Sequence, residues 1–116
     1  MSRDDLGNTG EDAAARFLER RGLEVLARNW RLKMGEIDII AKDGPILVFV
    51  EVKTRRTADF ADPSVAVDFR KQRKLRRLAE AYIAIERPDF DRCRFDVISV
   101  VHDGLSRLRY IPDAFA

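Results

Sequence analysis

Three residues carry types and spacings that could do chemistry: Asp38, Glu51 and Lys53. Asp38 sits in Glu-Ile-Asp-Ile-Ile-Ala, and Glu51 and Lys53 sit in Val-Phe-Val-Glu-Val-Lys. Both stretches are apolar enough to be strands inside a sheet. A carboxylate on such a strand is costly to bury unless it is paired or bound to a metal. The two-residue period of a strand puts Glu51 and Lys53 on one face. If Asp38 joins them as a diagonal neighbour of Glu51, the two Cβ atoms are about 7 Å apart. Two carboxylates at that spacing can converge on one magnesium ion, whose ligand bonds are roughly 2.1 Å. Lys53, one pleat further, could then hold a water or meet the negative charge of a transition state. The plainer alternative is a surface salt bridge of Glu51 or Glu36 with Lys53. Against it stands Asp38 on the adjacent apolar stretch, which completes an Asp…Glu-x-Lys pattern of two carboxylates and one ammonium.

That geometry depends on a hairpin. Strands over 36–41 and 46–53 flank Lys42-Asp43-Gly44-Pro45, and Asp-Gly is a strong signal for a two-residue loop. With 43 and 44 as the loop, Ile37 faces Val50, Ile39 faces Val48 and Ala41 faces Ile46, an apolar face. On the other face Asp38 lies opposite Phe49 and Glu36 opposite Glu51, so Asp38 and Glu51 are diagonal neighbours beside Lys53.

The remaining elements frame this hairpin. A helix over 10–21 is expected, with Thr9 and Asp12 resembling a capping box and Gly22 ending it. Its inward stripe is Ala14, Phe17 and Leu18, with Glu11 alongside. A strand over 23–30 and a turn over 31–35 follow. After a loop over 54–61, Asp62-Pro63 supplies an N-cap and first-turn proline for a second helix running to about residue 86. Leu75, Leu78, Ala79 and Tyr82 are its buried stripe. Strands over 94–101 and 107–111, joined by a turn over 102–104, complete the order α-β-β-β-α-β-β. The expectation is an α/β domain with a mixed β-sheet flanked by helices.

Length and composition limit the alternatives. A chain of 116 residues is one domain, 1–116, with 1–8 expected to be flexible. Its one cysteine, Cys93, excludes an internal disulfide, and Cys93 with the one histidine, His102, cannot form a zinc site. Both are read as structural. No apolar run approaches the length needed to cross a bilayer and no secretory signal is visible, so a cytoplasmic protein is expected, without a membrane partner. The net charge of +2 says little, but six of the eight residues from 70 to 77 are basic. On a helix, Lys71 shares the stripe of Leu75, Leu78 and Tyr82, with Gln72 flanking it, while Arg70, Arg73, Lys74 and Arg77 point away. The outward four form either a solvated face or a nucleic-acid-binding surface. Lys71 either snorkels from the buried face or looks toward the sheet. Glu36 joins the carboxylates or pairs with Lys53 or Arg55. Asp96 pairs with Arg94 or a neighbouring strand. Trp30 and Tyr110 serve packing rather than base stacking.

The stretches Gly35-Glu36-Ile37-Asp38-Ile39-Ile40-Ala41 and Val48-Phe49-Val50-Glu51-Val52-Lys53-Thr54-Arg55 resemble the YraN-type family of small bacterial proteins. Gly10-Glu11, Arg28-Asn29-Trp30, Arg94-Phe95-Asp96-Val97 and Asp113-Ala114-Phe115 fit the same family, so the resemblance runs from about residue 7 to the end. That family is similar in fold to the PD-(D/E)xK, or restriction-endonuclease-like, nucleases, and especially to archaeal Holliday-junction resolvases. The resemblance implies that Asp38, Glu51 and Lys53 match the nuclease core. It also implies that Glu11 matches an acidic metal ligand on the first helix, and that Lys71 matches the family's lysine before the second helix's apolar run. The proline of the motif's name is replaced by Ile37.

Two functions are therefore expected. The first is a magnesium- or manganese-dependent endonuclease cutting DNA, including branched or otherwise structured DNA. Glu11, Asp38 and Glu51 would hold metal, Lys53 and Lys71 would assist catalysis, and Arg70, Arg73, Lys74 and Arg77 would grip the backbone. The alternative is a nucleic-acid-binding module of the same fold that does not turn over or acts only with a partner. By analogy with resolvases, which make two symmetric cuts, a homodimer is the expected assembly.

Overall fold

The computed structural model describes residues 3–55, 67–102 and 106–115, with the side chains of 3–8, 102 and 106 left undescribed. The elements are α1 (Arg3–Arg20), β1 (Glu24–Leu32), β2 (Gly35–Asp43), β3 (Ile46–Arg55), α2 (Phe69–Glu86), β4 (Arg92–His102) and β5 (Ser106–Phe115), in the expected order. The strands form one sheet in the order β1-β2-β3-β4-β5. All pairs are antiparallel except β3 with β4, which the chain reaches through α2. The result is a mixed sheet with a helix on each face.

Two apolar layers hold the helices. Ala14, Ala15 and Leu18 of α1 pack on Ile39, Ala41, Val48, Val50, Ile98 and Val100. Leu75, Leu78, Ala79 and Tyr82 of α2, the stripe read from the sequence, pack on Ile37, Ile40, Leu47, Phe49, Phe95 and Val97. The first helix ends as expected at Gly22, where the Leu23 amide bonds to the Leu18 carbonyl and the Gly22 amide to the Glu19 carbonyl, a Schellman ending. Its start differs. The helix already runs from Arg3, so Thr9 lies inside it rather than capping it. The second helix starts at Phe69, with Asp68 accepting from the Lys71 amide as its N-cap. The expected start at Asp62-Pro63 lies outside the described residues, but Val67 and Asp68 are not helical, so no helix passes through them. The turn at 103–105 also lies outside the described residues.

The central hairpin departs from the expected register. Asp43 pairs with Ile46, Ala41 with Val48 and Ile39 with Val50, so Gly44 and Pro45 form the loop. The cause is proline chemistry. An Asp43-Gly44 loop would place Pro45 opposite Lys42 in the ladder, where it has no N–H to offer. Gly44, at φ +58, takes the first central position that a II′ turn requires. The strict alternation of β2 also fails. Ile37 packs on the α2 side with Ile40, not with Ile39 and Ala41 on the α1 side. On β1, Trp30 (paired with Ile37) and Ala27 (paired with Ile40) likewise both face α2. Between them Asn29 adopts the left-handed conformation at φ +51, which asparagine tolerates, and this reverses the alternation. Asp38 stands in the matching break of β2.

Among the described residues, no helix is long and apolar enough to cross a membrane.

Candidate active site

In the corrected register, counting one residue on from the pairing of Ile39 with Val50 matches Asp38 with Glu51 rather than setting them diagonal. The backbone ladder stops there, because the Val52 amide donates to Asp38 Oδ2 (2.8 Å). The strands part at this point and open a cleft of about 260 Å³, bordered by Glu36, Asp38 and Glu51 from the sheet and Lys71 and Lys74 from α2.

The cleft holds opposed charges at close quarters. Glu51 is buried and ion-paired with Lys71, while Lys53 Nζ lies 3.6 Å from the same Glu51 oxygen. Burial, then the charge of Glu51, pushes the Asp38 carboxyl up to about 8, with the Val52 N–H only partly opposing. Burial and the neighbouring Lys71 lower Lys53 from the ordinary lysine range in spite of Glu51. Burial works against the Lys71 charge too, but the Glu51 carboxylate outweighs it and the pKa is raised. Lys71 thus reaches the sheet, as one of the two readings of its stripe anticipated. Gln72 turns inward as well, donating to the Val67 carbonyl (2.9 Å) and fixing the chain's entry into α2.

Glu11 is placed differently. It is buried, but its carboxylate accepts from Arg28 Nε (3.0 Å) and Asn29 Nδ2 (2.8 Å). Among the described residues no three His, Cys, Asp or Glu side chains converge as a metal-holding group. The expected trio of Glu11, Asp38 and Glu51 is therefore not assembled; the structure brings together Asp38 and Glu51. These two still suit a hard divalent cation. They offer oxygen donors alone, and a cation between them would offset both the burial and the Glu51 charge that raise Asp38.

Other candidates resolve into packing. Glu36 accepts from Arg31 Nε (2.8 Å), not from Lys53, while still bordering the cleft. Asp96 pairs with Arg94, as expected, and also receives the Tyr110 hydroxyl and the Asp113 amide. Tyr110 and Trp30 make edge contacts with Phe17 and Tyr82. Cys93 is exposed, and the side chain of His102 is outside the described ones.

Arg70, Arg73, Lys74 and Arg77 are all exposed; the three arginines lie on the outer face that the helical projection predicts, whereas Lys74 leans over Gly35 and also borders the cleft. Together with Met34 of the β1–β2 turn they line a groove of about 320 Å³. Met34 and the neighbouring Gly35 were not singled out by spacing. A glycine after an exposed turn is the only signal the chain offers there.

The chain is similar to curated proteins along nearly its whole length. It is 50% identical over 112 residues to a UPF0102 protein of Symbiobacterium thermophilum, covering 95% of each chain. It is 49% identical over 118 residues to one of Caldicellulosiruptor saccharolyticus and 45% identical over 118 residues to one of Dictyoglomus thermophilum. Both of these matches span 99% of this chain and all of the relative. The profile described as "Uncharacterised protein family UPF0102" matches residues 10–100. With that match and those identities, the chain belongs to the UPF0102 family, the YraN-type family that its motifs resemble.

Proposed function

We propose that this protein is a magnesium- or manganese-dependent endonuclease of the PD-(D/E)xK kind, acting on phosphodiester bonds in DNA. The observation that carries the reading is the meeting of Asp38, Glu51 and Lys71 in one cleft, with Lys53 beside Glu51 and the outward cations of α2 alongside. Two carboxylates held beside one another in a cleft, one of them strongly raised by burial and by its neighbour, are suited to a divalent cation. When bound, that cation would supply electrostatic stabilisation of a pentavalent phosphorus and acidify a water.

The chain's own residues supply the rest. Asp38 and Glu51 hold the cation, and the Val52 amide fixes the orientation of the Asp38 carboxylate. Lys53, half-buried at the lip, orients the attacking water or meets the charge growing on phosphate oxygen. Lys71 pairs with Glu51 at the cleft, where its ammonium would also meet a phosphate oxygen. The groove on α2 holds the backbone on either side. A homodimer would deliver paired cuts.

One observation favours the second reading, a binding module without turnover: Lys71 already neutralises Glu51. The deciding experiment incubates the parent and Asp38→Ala with duplex, single-stranded, flap and four-way-junction DNA under magnesium, manganese or chelator. Cleavage by the parent alone, dependent on metal, is the expected result. A parent that cuts nothing but binds DNA would leave the binding module, and cleavage surviving in Asp38→Ala would belong to another site.

A further inference from the structure

One side chain joins the acidic cleft to the basic face of α2. The end of Lys74 lies over Gly35, where a Cβ would stand 2.7 Å from Lys74 Cε and 3.3 Å from its Nζ. Gly35 has φ +153, disfavoured for other residues, so backbone conformation and space both reserve this seat for the lysine. Lys74 thereby borders both the carboxylate cleft and the neighbouring groove.

The groove has two unlike walls. Arg70, Arg73 and Arg77 stand on the α2 side, and Met34, 40% exposed, stands on the turn side. A single exposed apolar residue is ordinary on a protein surface. One set across a groove from a row of cations is complementary to a nucleotide chain, with phosphates along one wall and a base on the other. A continuous duplex keeps its bases stacked and would offer only phosphates to such a groove. An unpaired strand offers both, and methionine is among the side chains that contact unstacked bases.

We propose that an unpaired stretch of nucleic-acid strand lies in this groove, its phosphates on Arg70, Arg73 and Arg77 and a base on Met34, and that Lys74 hands its backbone over Gly35 to the carboxylate cleft. The inference rests on the nucleic-acid half of the proposed function and not on cleavage. It makes Lys74 and Met34 positioning residues for the strand.

The test is equilibrium binding in chelator, read by fluorescence anisotropy on a labelled single strand, its duplex, and the same strand carrying abasic sites. The intact single strand should bind tightest. Met34→Ala should weaken it about threefold, less than the roughly fivefold or more that loss of an aromatic base platform costs, and should leave the abasic strand unaffected, while Met34→Leu should keep the parent's preference. Lys74→Ala should weaken both strands and flatten the log–log salt slope by about 0.7, one single-strand phosphate contact. Gly35→Ala, which displaces Lys74, should do the same; if it does not fold, Lys74→Ala carries that arm alone. A duplex bound as tightly as the single strand, or a Met34→Ala protein with unchanged affinity, would overturn the proposal even if the protein cuts DNA. Failure to bind any nucleic acid would overturn it together with the nucleic-acid reading.

Discussion

Two acidic sites lie on neighbouring strands of the same sheet, and they are built to opposite ends. Asp96 on β4 is 1% exposed and fully satisfied: Arg94 Nε donates at 3.0 Å, the Asp113 amide at 2.9 Å, and the Tyr110 hydroxyl also bonds to it. Asp113 takes the left-handed conformation in a bulge of β5, so the carboxylate holds an irregular strand in place. The Arg94 charge is strengthened, and the Tyr110 hydroxyl is pushed up to about 12 by burial and by Asp96. Asp38 and Glu51 have no such balance. Asp38 receives one backbone amide and faces a second carboxylate, and the lysines that offset them stand at the edge of an open cleft. The contrast separates a carboxylate that completes the fold from a pair that the fold holds in tension. Tension of that kind is what a ligand of opposite charge can release.

The largest effect should fall on the satisfied site. Asp96→Ala would strand Arg94, the Tyr110 hydroxyl and the Asp113 amide, and should lower unfolding stability by about 3–5 kcal/mol in denaturant titration. A loss under 1 kcal/mol would mean that the network is ornamental.

At the cleft the large effect should be on rate. Lys53→Ala should slow single-turnover cleavage by about a hundredfold to a thousandfold, because its ammonium acts on charge that appears in the transition state. Metal and DNA affinity should stay near the parent's. A matching fall in affinity and rate would make Lys53 a mere binding contact.

An effect of opposite sign to that at Asp96, and dependent on pH, is expected for Asp38→Asn without metal. The folded protein holds the Asp38 proton up to about 8, while the unfolded chain releases it near the ordinary value of 3.8. Folding therefore takes up a proton between those values, and this site's contribution to stability falls as pH rises from about 4 to 8. Asparagine still accepts the Val52 amide and removes that dependence. Its melting temperature should exceed the parent's, by a margin that widens from pH 5 to pH 8. A constant margin would show that folding does not raise the Asp38 carboxyl.

The smallest effect belongs to the outer face. Arg73→Ala with Arg77→Ala should flatten the log–log salt dependence of duplex binding by about 0.9 per lost contact and leave the fold unchanged. An unaltered slope would remove this face from the interface.

The elements and their inward stripes were legible because periodicity and glycine punctuation act locally. Leu75, Leu78, Ala79 and Tyr82 are buried as spaced, and Gly22 ends α1. The hairpin register was not legible from Asp-Gly alone, since Pro45 decides which residues can pair. Nor could alternation foresee the reversal that Asn29 introduces in β1, or the matching one that sets Ile37 of β2 toward α2. Of the site, Asp38, Glu51, Lys53 and Lys71 are brought together as the motifs suggested. The diversion of Glu11 to Arg28 and Asn29 depends on how α1 crosses β1, contacts 17 and 18 residues apart that no local pattern encodes.

The proposed role of Asp38 and Glu51 as a divalent-cation site is tested most directly by isothermal titration of the parent and Asp38→Asn with manganese. Saturable binding is expected of the parent and none of a folded Asp38→Asn protein. A parent that takes up no manganese, or an Asp38→Asn protein that binds it at full strength, would contradict it.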